Sequence, residues 1–90
     1  MARFQIQWFV NDQNTYTAEN LTFDQVWDEA VPGEALYAHR GNRWHVMMKH
    51  AANETMLSMV QNGTFRICYQ TPPMNPEDFD TEVILVTRIL

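Results

Sequence analysis

Three histidines, one serine, one cysteine and eleven carboxylates are the residues of this 90-residue chain on which chemistry would first be built. A metal site would need His39, His45 and His50 to converge. In a hairpin turning at Gly41-Asn42, His39 and His45 point to opposite faces, and so do His45 and His50, an odd number of residues apart on one strand. His39 and His50 share a face but lie too far apart along the ribbon, and no cysteine or carboxylate stands at ligand spacing. Nucleophilic catalysis needs a serine, cysteine or threonine beside a base. Ser58 falls in a helical stretch, and Cys68 falls inside a strand, where a lone cysteine behaves as a small buried hydrophobe. The carboxylates Asp24, Asp28 and Glu29 lie off the apolar stripe of a helix. Asp78-Phe79-Asp80-Thr81-Glu82 lacks the glycine and the spaced final glutamate of a calcium loop. The chain is therefore expected to be non-enzymatic, with no catalytic residue, no metal and no cofactor.

Two charged surfaces remain. The first is acidic: Asp24, Asp28 and Glu29 on the helix, and Glu77, Asp78 and Asp80 in a proline-containing loop that also carries Met74 and Phe79. Carboxylates with an exposed aromatic or thioether suit protein binding, the apolar group acting as anchor and the charge as steering. The second is basic: Arg40, Arg43, His45 and Lys49 on one face of the hairpin, a ribbon that could lie against nucleic acid. Its charges are few, no aromatic accompanies them, and Leu36 and Met47 interrupt them. The net charge of −5 opposes approach to a polyanion. Charge is also uneven along the chain: −5 over residues 1–34, +3 over 35–70 and −3 over 71–90.

Size, acidity and missing catalytic groups lead to the expectation of a protein-binding module. Its character is that of many small phage or mobile-element inhibitors, which occupy a surface of a larger host protein, including nucleic-acid-handling or defence complexes with a basic groove. The alternatives are a nucleic-acid-binding regulator using the 40–49 hairpin, or a homo-oligomeric assembly subunit built through an exposed sheet edge. One cysteine permits no internal disulfide and suits a reducing compartment. The polar-interleaved start, Ala2-Arg3-Phe4-Gln5-Ile6-Gln7, does not read as a signal peptide, and no apolar run is long enough to span a membrane, so a cytoplasmic protein is expected. Asn20-Leu21-Thr22, Asn53-Glu54-Thr55 and Asn62-Gly63-Thr64 fit the glycosylation pattern, but each reads more simply as a helix boundary.

These residues must be positioned by a single compact domain, residues 1–90, with a core sufficient for folding at 46% hydrophobic composition. The organising stretch is the last, Val83-Ile84-Leu85-Val86. Apolar on both parities, it reads as a strand covered on both faces near the middle of a sheet. Arg3 to Val10 alternates, with Phe4, Ile6, Trp8 and Val10 inward. A turn at Asn11-Asp12-Gln13-Asn14 leads to a short return strand at 15–17. A helix over about 22–31 has Thr22 as N-cap, Gln25 completing a capping box, and an apolar stripe at Phe23, Val26, Trp27 and Ala30. Glu34 to His50 reads as a second hairpin, with Ala35, Tyr37, His39, Trp44, Val46 and Met48 facing the core. A short second helix over about 53–62 is expected with Asn53 as cap and Met56, Leu57 and Val60 buried. Thr64 to Gln70 is another strand, and 71–82 is a Pro-rich acidic loop with one helical turn near Asn75-Pro76. All three tryptophans are expected in or near the core. The fold class is α+β: a mainly antiparallel sheet of five to six strands with two helices.

Overall fold

The computed structural model describes residues 2–61, 63–72 and 82–90, and of Asn53 the backbone alone. It contains β1 (Phe4–Val10), β2 (Gln13–Leu21), α1 (Phe23–Ala30), β3 (Ala35–Arg40), β4 (Arg43–Met48), α2 (Lys49–Val60), β5 (Thr64–Cys68) and β6 (Val83–Arg88). The six strands form one antiparallel sheet in the order β2-β1-β6-β5-β3-β4, an α+β fold. β6 lies between β1 and β5, as its apolar run requires. Val83, Ile84 and Val86 are buried and Leu85 half-buried.

Directly opposed residues of paired strands share a face of the sheet. Ile6 opposes Val86, Ile84 opposes Ile67, and Ile67 opposes Ala38, which defines one face across four strands. These side chains join Val26, Trp27 and Ala30 of α1 and Ala52, Met56 and Val60 of α2 in one buried cluster, so both helices cover that face. Cys68 and Val83 have the opposite parity. They are buried too, but outside the cluster.

The first helix forms as its sequence directs. Gln25 N–H donates to Thr22 Oγ1 at 3.2 Å, and Thr22 N–H donates to Gln25 Oε1 at 2.8 Å. Phe23 then stands edge-on between Phe4 and Trp27, with ring centroids 5.3 Å from each. The first hairpin is tighter and longer than its composition indicates. Its loop is only Asn11-Asp12, both at positive φ (50° and 66°), as a type I′ turn demands. β2 then runs nine residues to Leu21, accommodated by two register shifts, one of them beside Asn20 at φ 60°. The polar composition that hides this strand from periodicity also suits its place at a sheet edge.

The second hairpin has the expected register, Arg40 opposite Arg43 through Ala35 opposite Met48, but the opposite face is buried. Leu36 and Ala38 are 1% and 0% exposed and Met47 packs against the core, whereas Val46 is 65% exposed and Met48 46%. Tyr37, His39 and Trp44 are half-buried on the face away from the helices. The tertiary partner decided this. β3 joins β5 with Ala38 opposite Ile67, and Ile67 belongs to the helix-covered side. Of the tryptophans, Trp27 is buried and Trp8 packs against the cluster, but Trp44 stands outside it.

α2 begins at Lys49, four residues before the expected start. Its N-cap is Met48, which makes no side-chain capping bond, and Asn53 lies inside the helix. Lys49 N–H still donates to Glu34 O at 2.7 Å, one step beyond the last β3–β4 pair. The strand therefore passes straight into the helix without a linker, and burial of Ala52, Met56 and Val60 holds the helix in place of a cap.

Candidate functional site: an acid-lined groove between the two helices

α1 presents Asp24 and Asp28 at i and i+4, neighbours on one exposed face. Val31-Pro32-Gly33 ends the helix and returns the chain to Glu34, whose carbonyl accepts the Lys49 amide. This brings the end of α1 against the start of α2. A groove of about 890 Å³ lies between them, lined by Asp24, Asp28, Glu34, Met48, Lys49 and His50, with Trp27 and Gly33 behind. Of these, sequence reasoning had singled out Asp24 and Asp28 for an acidic surface and Lys49 for a basic one. Glu34 had no reading, Met48 was expected on the hairpin's core face and His50 was weighed only as a metal ligand; their place in the groove depends on how α2 starts.

The groove's lysine is already engaged. Lys49 Nζ donates to Val31 O at 2.9 Å and to Trp27 O at 3.1 Å, carbonyls at the negative end of α1. Its ammonium is thus bonded to the protein's own backbone. The groove thus offers Asp24, Asp28 and Glu34 to a visitor, with Met48 also in its lining.

Glu29 does not join this group. It accepts the Tyr16 hydroxyl from β2 at 3.2 Å, and its charge raises the Tyr16 pKa above the ordinary 10.0. The other acidic-surface residues, Met74, Glu77, Asp78, Phe79 and Asp80, lie outside the described residues, as does the helical turn expected near Asn75-Pro76. The basic set is also divided. Arg40 and Arg43 are exposed on either side of the Gly41 turn and His45 is exposed on β4, but Lys49 belongs to α2 and the groove. The four do not form one ribbon face.

Two further arrangements flank the groove's sheet. On the face away from the helices, Arg66 and His39 Nδ1 are 3.0 Å apart, and His39 packs edge-on against Trp44 at 5.2 Å. At the end of β5, the Tyr69 hydroxyl donates to Glu82 Oε2, tying together the two ends of the connection between β5 and β6. The Tyr69 ring packs edge-on against Trp8 at 5.7 Å. Burial, followed by the bond to Glu82, pushes the Tyr69 pKa from 10.0 up to about 12.

Among the described residues, no three His, Cys, Asp or Glu side chains come together to hold a metal ion. Nor, among them, is any helix long and apolar enough to cross a membrane. Comparison with protein families, with curated proteins and with solved structures finds no match.

Proposed function

We propose that this chain is a non-enzymatic protein-binding module, an inhibitor or regulator that occupies a basic surface of a larger protein. One observation carries the reading: three carboxylates, two from α1 and one from the connection that follows it, line a groove whose lysine is committed to the α1 carbonyls. A lysine or arginine side chain entering there meets Asp24, Asp28 and Glu34, and its methylene stem can lie against Met48. Its small size, its acidity and the exposed carboxylates of the groove fit an inhibitor of the kind that phages and mobile elements direct at nucleic-acid-handling complexes. A single cysteine, buried at Cys68, supports a reducing cytoplasmic setting.

The test is a pull-down from host lysate with and without nuclease, comparing the native chain with the triple variant Asp24→Asn, Asp28→Asn, Glu34→Gln. The expected result is one stoichiometric protein that survives nuclease, binds less tightly as salt rises, and loses about tenfold or more in affinity to the triple variant. Undiminished binding by the triple variant refutes the groove. Recovery of nucleic acid that is lost in Arg40→Ala, Arg43→Ala would replace this reading with the basic-turn regulator.

A further inference from the structure

The sheet has two edges, and the chain treats them differently. β2 is blunted: two register shifts, a residue at positive φ, and a largely polar, exposed sequence make it a poor template for another strand. β4 has none of these devices. All six of its residues pair with β3 without a shift.

The directions of its backbone groups follow from the turn. A two-residue loop makes Arg40 and Arg43 the closing hydrogen-bonded pair, so Ala38–His45 and Leu36–Met47 are the next such pairs. The Lys49 N–H to Glu34 O bond confirms this phase one step further on. Trp44 and Val46 therefore turn both N–H and C=O away from β3, toward the free edge, and Met48 turns its N–H the same way. Among the described residues nothing pairs with this edge. Side chains alternate in step: Trp44, Val46 and Met48 on the face away from the helices, the last two well exposed, and Arg43 and His45, both exposed, on the other.

We propose that β4 is a docking edge for an extended segment of a partner protein in which apolar residues alternate with acidic ones. Such a segment adds a seventh strand. Its apolar residues oppose Trp44, Val46 and Met48, and its carboxylates oppose Arg43 and His45. Charge selects this occupant over a second copy of the chain. β4 itself, Arg43–Met48, carries no carboxylate, so a second copy paired through this strand offers Arg43 and His45 no opposite charge. The proposal does not depend on the groove, which shares only Met48 with this edge among the side chains named.

The experiment titrates the full chain with a ten-residue peptide alternating valine and glutamate, followed by amide NMR and calorimetry. Saturable binding is expected, with the Trp44 and Val46 amides becoming protected from exchange. Replacing glutamate by lysine in the peptide, or Val46→Pro in the protein, should weaken binding by about tenfold or more. The Val46 N–H faces outward, so proline there removes no bond to β3, and circular dichroism checks that the variant is folded. Should it unfold, Arg43→Glu with His45→Glu replaces it, and that protein should prefer the lysine peptide. Equal binding of both peptides, or full binding by V46P, overturns the proposal. A concentration-dependent dimer that V46P dissociates overturns it in favour of self-pairing. The groove variant Asp24→Asn, Asp28→Asn, Glu34→Gln should bind the peptide normally.

Discussion

Replacing Lys49 by methionine sets two electrostatic effects against each other, and their magnitudes decide the sign. The ammonium donates to Trp27 O and Val31 O. Hydrogen bonds from a charged donor contribute about 1.5–3 kcal/mol each when made, though two on one ammonium do not add in full. Trp27 O keeps its bond from Val31 N–H at 3.0 Å, so the larger loss falls on Val31 O. Against this, Lys49 is the first residue of α2, where a cation opposes the positive end of that helix's dipole. Removing it recovers about 0.3–1 kcal/mol. Methionine retains most of the apolar stem, so packing changes little. The net expectation is a destabilisation of about 1–2.5 kcal/mol, or roughly 5–15 °C in midpoint temperature for a domain of this size. Urea unfolding followed by tryptophan fluorescence reads it directly, with Trp27, 4% exposed, as reporter. Lys49→Arg, which keeps a donor, should lose less than half as much. A methionine variant as stable as the parent would refute the reasoning: the bonds to α1 would then contribute no more than the α2 dipole removes.

Tyr69 gives a pH dependence of definite sign. Its folded pKa is raised from 10.0 to about 12, so its contribution is whole below pH 10 and is lost as pH rises toward 12. Tyr69→Phe should flatten the alkaline limb of urea midpoints measured from pH 9 to 12. An unchanged limb would count against the burial and the Glu82 bond that together raise this pKa. Thr22→Ala breaks the capping box and should cost about 1 kcal/mol, with faster hydrogen exchange at the Gln25 amide. Leu36→Ala should cost about 2–5 kcal/mol while Val46→Ala stays within about 0.5, and near-equal losses in thermal unfolding would contradict the face assigned to the second hairpin.

What was legible in the residues is local or strongly periodic. Thr22 and Gln25 specify a helix start whose bonds close within one turn. Gly41-Asn42 specifies a two-residue loop, and with it every pairing between β3 and β4. An apolar run on both parities can satisfy itself only inside the sheet, and Val83 to Val86 does so. Of the candidate site, Asp24 and Asp28 could be found because helix periodicity puts them on one exposed face. The rest depended on contacts distant in sequence. Either face of the second hairpin carries enough apolar surface to be buried, and only the pairing of Ala38 with Ile67 under the helices chooses Leu36 over Tyr37. The start of α2 has no cap to announce it, since Met48 serves without a side-chain bond and burial supplies the stability. That start in turn carries Lys49 to the α1 carbonyls and Glu34, Met48 and His50 to the groove. Turns, caps and periodicity act over a few residues, so the residue types alone determine them. Which face is buried, and which charges meet, is set by free energy shared among elements tens of residues apart, and that was decided only when the sheet and helices packed together.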